Sequence, residues 1–224
     1  MTGSVTIAAL SRRAFVLALL ASMWASLSPS ATAAEPLRIV ALGDSLTAGY
    51  GLAEKEAFPV KLQAALRAKG HDVEVINAGV SGDTASGGLA RLDWSVSDTA
   101  EAVILELGAN DALRATDPAT TRKALNETLR KLTQRKIPVL FAGMQAPRNM
   151  GADYITAFDR IYPELAQAHG VLLYPFFLDG VAAESQLNQR DGIHPTAAGV
   201  DVIVERILPS VEKLIAQARA NRKN

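Results

Sequence analysis

The sequence predicts a single α/β domain, a parallel sheet with helices on both faces, and three observations point there. Five apolar runs of strand length are almost continuously hydrophobic, as strands covered on both faces must be. Amphipathic stretches of helical length separate them, which is the alternation of parallel βαβ units. The chain has 224 residues, 49% of them hydrophobic, enough for one core of ordinary size without help from metals or crosslinks.

The elements follow in order. The first strand covers residues 37–42 and runs straight into Gly43-Asp44-Ser45-Leu46-Thr47-Ala48-Gly49-Tyr50, so Ser45 falls where a strand gives way to a helix. A helix is expected over 58–69, stopped by Lys69-Gly70, and a second strand over 73–78. The third strand is 102–107, and the helix over 120–136 is announced by Asp117-Pro118, a cap with proline in the first turn. The fourth strand is 138–143, followed by a helix over 154–168 with a stop at His169-Gly170. The fifth strand is 171–175 and the last helix 196–218. No internal repeat, low-complexity segment or interdomain linker is visible.

Residues 1–34 read as an export leader. Arg12-Arg13 precede an apolar run from Ala14 to about residue 27, and the small residues Ala31-Thr32-Ala33-Ala34 follow. The run is short of the roughly 20 apolar residues needed to span a bilayer, so cleavage is expected, leaving residues 35–224 as one domain with no stable membrane insertion, exported to the periplasm or secreted. Ser11-Arg12-Arg13-Ala14-Phe15-Val16 resembles a twin-arginine signal, although paired arginines also occur in general secretory leaders.

Composition closes several doors. There are no cysteines, which excludes a disulfide framework, a thiolate zinc site and a cysteine nucleophile. Removing the leader takes away two arginines and no acids, leaving 21 basic against 23 acidic residues. Nucleic-acid binding, which needs clustered Lys and Arg, is not expected.

The chemistry-bearing residues lie at strand ends. In parallel α/β sheets ligands bind beyond the carboxyl ends of the strands, near the switch in strand order. Ser45 follows the first strand, Ser81-Gly82-Asp83-Thr84 the second, Gly108-Ala109-Asn110-Asp111 the third, and Asp191-Gly192-Ile193-His194-Pro195 the fifth. A serine hydroxyl is a weak nucleophile unless a base stands beside it. His194 can be that base, because Asp191 lies three residues earlier in a tight loop and can hold one ring nitrogen while the other faces Ser45. His71 and His169 sit at helix-to-strand connections, where a histidine meets solvent and a helix end.

Each of these residues has a plainer reading. Ser45 can cap a helix, Asp191 to His194 can be a turn before the last helix, Gly82 can serve any tight turn, and Asn110 can close an Asx-turn. Taken together they describe an acyl-transfer site. Ser45 would be the nucleophile, His194 the base and Asp191 its orienter, while the amides of Ser45 and Gly82 and the side chain of Asn110 would face a developing oxyanion. Asp111 is expected to be structural, closing that turn or capping the next helix. Leu113, Met144, Pro147 and Tyr154 are candidates for an acyl groove, although the two methionines of the 144–154 segment, Met144 and Met150, read equally well as packing residues. No metal and no cofactor are expected.

Gly43-Asp44-Ser45-Leu46, Gly82, Gly108-x-Asn110-Asp111 and Asp191-x-x-His194 resemble the four signature blocks of the SGNH/GDSL hydrolases, over nearly the whole mature chain. Gly49-Tyr50, Leu89-Ala90-Arg91-Leu92, Glu106-Leu107-Gly108, Leu113-Arg114, Ile161-Tyr162-Pro163 and Pro175-Phe176-Phe177 look like the multifunctional exported bacterial acyl hydrolases of the thioesterase I, arylesterase and lysophospholipase type. The resemblance implies a flavodoxin-like three-layer α/β/α sandwich with sheet order 2-1-3-4-5, a Ser45-Asp191-His194 triad, and an oxyanion hole from Ser45, Gly82 and Asn110. It implies small-molecule acyl esters, thioesters or lysophospholipids as substrates. Ala109 departs from the family's usual glycine at that position. Two rival readings are a carbohydrate O-deacetylase of the same superfamily and a non-catalytic flavodoxin-like binding module.

Overall fold

A computed structural model describes Met1 and residues 35–222. The chain divides into two units, Met1–Glu35 and Pro36–Asn224, and every element below belongs to the second. The leader expected over residues 1–34 falls on residues outside those described, Met1 apart.

Five parallel strands form one sheet in the order β2-β1-β3-β4-β5. They are β1 (Leu37–Gly43), β2 (Val73–Gly79), β3 (Ala102–Glu106), β4 (Val139–Ala142) and β5 (Leu172–Tyr174). β1 lies inside the sheet between β2 and β3, as suits its run Leu-Arg-Ile-Val-Ala-Leu-Gly, apolar on both faces with all but Arg38 buried. It pairs with β2 from Leu37 opposite Val73 to Gly43 opposite Gly79, and with β3 from Ile39 opposite Ala102 to Gly43 opposite Glu106. Strand order therefore reverses on either side of β1, and the crevice above its carboxyl end is where such a sheet takes a ligand.

The helices are α1 (Ser45–Ala48), α2 (Phe58–Ala68), α3 (Ala85–Ala90), α4 (Leu92–Ser95), α5 (Ala109–Leu113), α6 (Pro118–Gln134), α7 (Ala152–Asp159), α8 (Ile161–His169) and α9 (Ala197–Asn221). α2 packs on α9, while α3, α6 and α8 pack together on the other side of the sheet, with α8 lying against β4 and β5. The core between these layers is continuous, from Phe58, Leu62 and Ile207 to Phe141, Phe158 and Tyr162. α6 begins as its sequence promises: Asp117 Oδ1 accepts from the Ala119 amide at 2.8 Å and Pro118 takes the first position.

One expected helix, 154–168, is two. α7 stops at Asp159, Arg160 forms the joint, and α8 begins at Ile161. Pro163 explains the break, since it has no N–H to give the carbonyl of residue 159 and its ring crowds that carbonyl. Asp159 instead turns its carboxylate to the amide of Ala146 at 2.8 Å. Pro209 inside α9 has no such effect, because Ile207, Val211, Leu214 and Ile215 are buried on both sides of it and hold the helix together.

Candidate active site

The four segments singled out at strand ends converge above β1. Asp44 caps α1, its Oδ1 accepting from the Leu46 amide at 3.0 Å, and this sharp turn sets Ser45 at the first helical position with only 8% of its surface exposed. Across from it, His194 Nε2 lies 2.9 Å from Ser45 Oγ, and His194 Nδ1 lies 2.7 Å from Asp191 Oδ2. The histidine loop is wound around the carboxylate: Asp191 Oδ1 accepts from the amides of Ile193 and His194 at 2.9 and 3.0 Å. Those two amides, and then the imidazole, hold the Asp191 carboxyl down to about 2. Asp191 is thus ionised throughout the neutral range, and a negative carboxylate at Nδ1 favours the tautomer whose bare Nε2 faces the serine.

Asn110 stands at the start of α5. Its Nδ2 donates to Asp44 Oδ2 at 3.1 Å and to the Asp83 carbonyl at 2.9 Å, so it joins the Asp44-Ser45 turn to the loop after β2. Gly82, at φ 82°, lies in that loop, and its carbonyl accepts from Arg114 Nη2 at 2.9 Å. The positive φ is a conformation that glycine enters freely and other residues do not. Arg91 braces the same loop: Nε pairs with Asp83 Oδ2 at 2.7 Å, Nη1 donates to the Ala78 carbonyl, and Nη2 donates to the Gly43 carbonyl at 2.8 Å.

Beneath the serine lie two fully buried carboxyls. Burial pushes Asp44 up to about 6, against the pull of the Leu46 amide, the Asn110 side chain and His194. Glu106, at the end of β3, is raised well above the usual carboxylate range by burial and by the neighbouring Asp44. Its Oε2 accepts from Thr47 Oγ1 at 2.7 Å and the Asp44 amide at 3.3 Å. Two carboxylates at such proximity cannot both be charged cheaply, which adds to the cost of burial at Glu106.

A cavity of about 630 Å³ opens beside Ser45 and His194. Its walls are mostly apolar: Leu46, Ala109, Leu113, Met144, Ala146, Pro147, Phe176, Leu178, Ala182 and Ile193 all line it, with Asn110 among the polar lining residues. Of the residues expected at an acyl groove, Leu113, Met144 and Pro147 line this cavity. Tyr154 does not. Its hydroxyl donates to the Thr116 carbonyl at 2.9 Å and its ring stacks on Phe158, so it fastens the loop before α6 to the core. An aromatic in a loop-to-helix segment gives no sequence signal separating these roles.

Asp111 is structural, but not as a cap of its own turn. Buried at 1% exposure, it accepts from the amide of Ala85 at 2.8 Å and from Thr121 Oγ1 at 3.0 Å, tying α3 to α6. The supports Asp44, Glu106 and Arg91 were not assigned roles from sequence. Glu106 carried a signal nonetheless, being a charged residue inside an otherwise continuous apolar strand.

The chain is similar to a known family and to several of its members. The GDSL-like lipase/acylhydrolase family matches residues 41–202. Esterase TesA of Pseudomonas aeruginosa is 39% identical over 184 residues, covering 82% of this chain and 90% of that protein. Thioesterase 1/protease 1/lysophospholipase L1 of Escherichia coli K12 is 37% identical over 186 residues, covering 83% of this chain and 87% of that protein. Among solved structures AlinE4, an SGNH-hydrolase family esterase, superposes with a TM-score of 0.68 at 48% identity, covering 80% of this chain and 96% of its own. With the family pattern spanning most of the described chain, this protein belongs to the GDSL-like lipase/acylhydrolase family, whose members act on ester bonds.

Proposed function

We propose that this esterase hydrolyses aryl and short-to-medium acyl esters, and also thioesters and lysophospholipids, through an acyl-enzyme on Ser45. The observation that carries the reading is the chain of contacts Ser45 Oγ to His194 Nε2 to Asp191 at 2.9 and 2.7 Å, the first within reach of a proton transfer and the second a hydrogen bond that orients the ring.

In the first half-reaction the Ser45 proton passes to His194 Nε2 as Oγ bonds to the ester carbonyl carbon, and the carbonyl electrons move to its oxygen. The amides of Ser45 and Gly82 and Nδ2 of Asn110 receive that oxyanion. Collapse breaks the bond to the leaving oxygen or sulfur, which takes the proton from His194. Water then enters, gives a proton to Nε2 and attacks the acyl carbon, and the second collapse returns the proton to Ser45 and frees the acid. Asp191 stays ionised throughout and stabilises the imidazolium.

The apolar walls of the cavity support the substrate class. A space of about 630 Å³ falls within the roughly 300–1,000 Å³ of pockets that take small organic ligands, and its linings of Leu113, Met144 and Phe176 offer an acyl chain more than they offer a sugar. On the strength of Arg12-Arg13 and the apolar run behind them, we also read the protein as exported.

A chain-length series of nitrophenyl esters and acyl-thioesters tests the reading. Medium acyl groups should give higher kcat/KM than acetate, and Ser45→Ala should remove activity on all of them. Release of acetate from acetylated glycans with no turnover of longer acyl chains would instead make it a carbohydrate deacetylase.

A further inference from the structure

The proton transfers assigned to His194 require its ring to stay in line with Ser45, and contacts outside the triad hold it there. Gly49 ends α1 in the left-handed conformation, φ 84°, and turns the chain so that Tyr50 lies over the imidazole. The two ring centroids are 4.6 Å apart with planes inclined at 39°. Behind the tyrosine, its carbonyl accepts from Gln189 Nε2 at 2.8 Å, and the same amide group donates to the Pro195 carbonyl at 2.9 Å. The Gln189 backbone amide donates to the His194 carbonyl at 2.7 Å. Gly51 makes room for this side chain, since a Cβ there would stand 2.3 Å from Gln189 Oε1. Gln189 therefore latches the segment after the nucleophile to both residues 194 and 195.

We propose that Tyr50 is a positioning residue for the base: its ring walls one face of His194 and favours the imidazolium formed at each proton transfer, with Gln189 locking the tyrosine's backbone in place. This rests on the reading of His194 as the base. An aromatic face within about 6 Å attracts a cation through its quadrupole, and the 4.6 Å separation meets that condition. The other groups facing the imidazole are Asp191 on its own loop, Ser45 on α1 and, at longer range, Asp44. Tyr50 is 54% exposed and does not line the cavity, so neither core packing nor substrate contact accounts for its place.

The test is kinetic, on wild type, Tyr50→Leu, Tyr50→Phe, His194→Ala and the double variant Tyr50→Leu/His194→Ala, with one nitrophenyl ester. An exposed to half-buried cation–aromatic contact of this kind corresponds to about three- to tenfold. Tyr50→Leu should lose that much in kcat with KM within about twofold, and Tyr50→Phe, which keeps the ring, should recover most of it. In the His194→Ala background Tyr50→Leu should change the residual rate by less than about 1.5-fold, because a positioning residue has nothing left to position. Turnover of Tyr50→Leu equal to wild type, or the same fractional loss with and without His194, overturns the proposal while leaving the base assignment intact. Wild-type turnover by His194→Ala would remove the base assignment itself, and the role of Tyr50 with it.

Discussion

Replacing Asn110 by alanine should damage catalysis and stability by separable amounts. Removing one oxyanion donor costs about 10²–10³ in turnover. In the free protein Nδ2 already serves Asp44 Oδ2 and the Asp83 carbonyl. Holding an oxyanion therefore means giving up or sharing the Asp83 contact, so the net gain is a charged acceptor in place of a neutral one. That puts the expected loss at the lower end, about 10² in kcat, or roughly 2.7 kcal/mol of barrier. KM should hardly move, since the interaction is made in the transition state. The same substitution leaves Asp44 Oδ2 without its amide donor in a fully buried position. A hydrogen bond to a charged group is worth about 1.5–3 kcal/mol, and since Asn110 borders the cavity, entering water should hold the cost near 1.5. Steady-state kinetics on a nitrophenyl ester and urea unfolding measure the two effects. A kcat within about fivefold of wild type, or a loss appearing in KM alone, would refute the donor role.

Other outcomes follow from the same structure. Folded Asp44 keeps its proton up to about pH 6, whereas an unfolded aspartate releases it near 3.9. The folded state thus binds more protons over about pH 4–6, and unfolding free energy should fall by about 1–2 kcal/mol between pH 5 and 7, measured by urea titration. Asp191 acts in the opposite direction and lower down: held at about 2, it contributes stability above the unfolded value that is lost as pH falls toward 2, and its 38% exposure keeps that contribution small. Ala182→Phe, which puts a ring into the cavity, should cut kcat/KM for octanoyl esters at least about tenfold more than for acetyl esters; equal losses would mean that the acyl chain lies elsewhere. Tyr154→Phe should cost about 0.5–1.5 kcal/mol through the lost bond to the Thr116 carbonyl while leaving the chain-length preference unchanged.

The sheet was legible because β1, β3 and β4 are covered on both faces and had to be almost wholly apolar, while the edge strands β2 and β5, only partly buried, kept enough apolar positions to be read beside them. The site was legible for a related reason, since Ser45, Gly82, Asn110 and His194 each sit one turn beyond a buried strand or in the loop that leads to the last helix. What stayed hidden was decided by tertiary contacts. α3 reads Ala-Ser-Gly-Gly-Leu-Ala, a turn by composition; it is helical because Thr84 accepts from Gly87 and Asp111 from Ala85. α7 and α8 looked continuous because the amphipathic pattern runs through Arg160 and only Pro163 speaks against it. Arg91, Glu106 and Gln189 act on residues 48, 62 and 139 positions away, at Gly43, Asp44 and Tyr50, distances at which sequence spacing says nothing.

Covalent trapping of the nucleophile tests the mechanism most directly. Incubated with a fluorophosphonate and digested for mass spectrometry, the protein should carry one phosphonyl group, on the peptide containing Ser45, with a rate that drops at least about 10³-fold in His194→Ala. No adduct on Ser45 in active protein, or ester hydrolysis at the wild-type rate by Ser45→Ala, would contradict it.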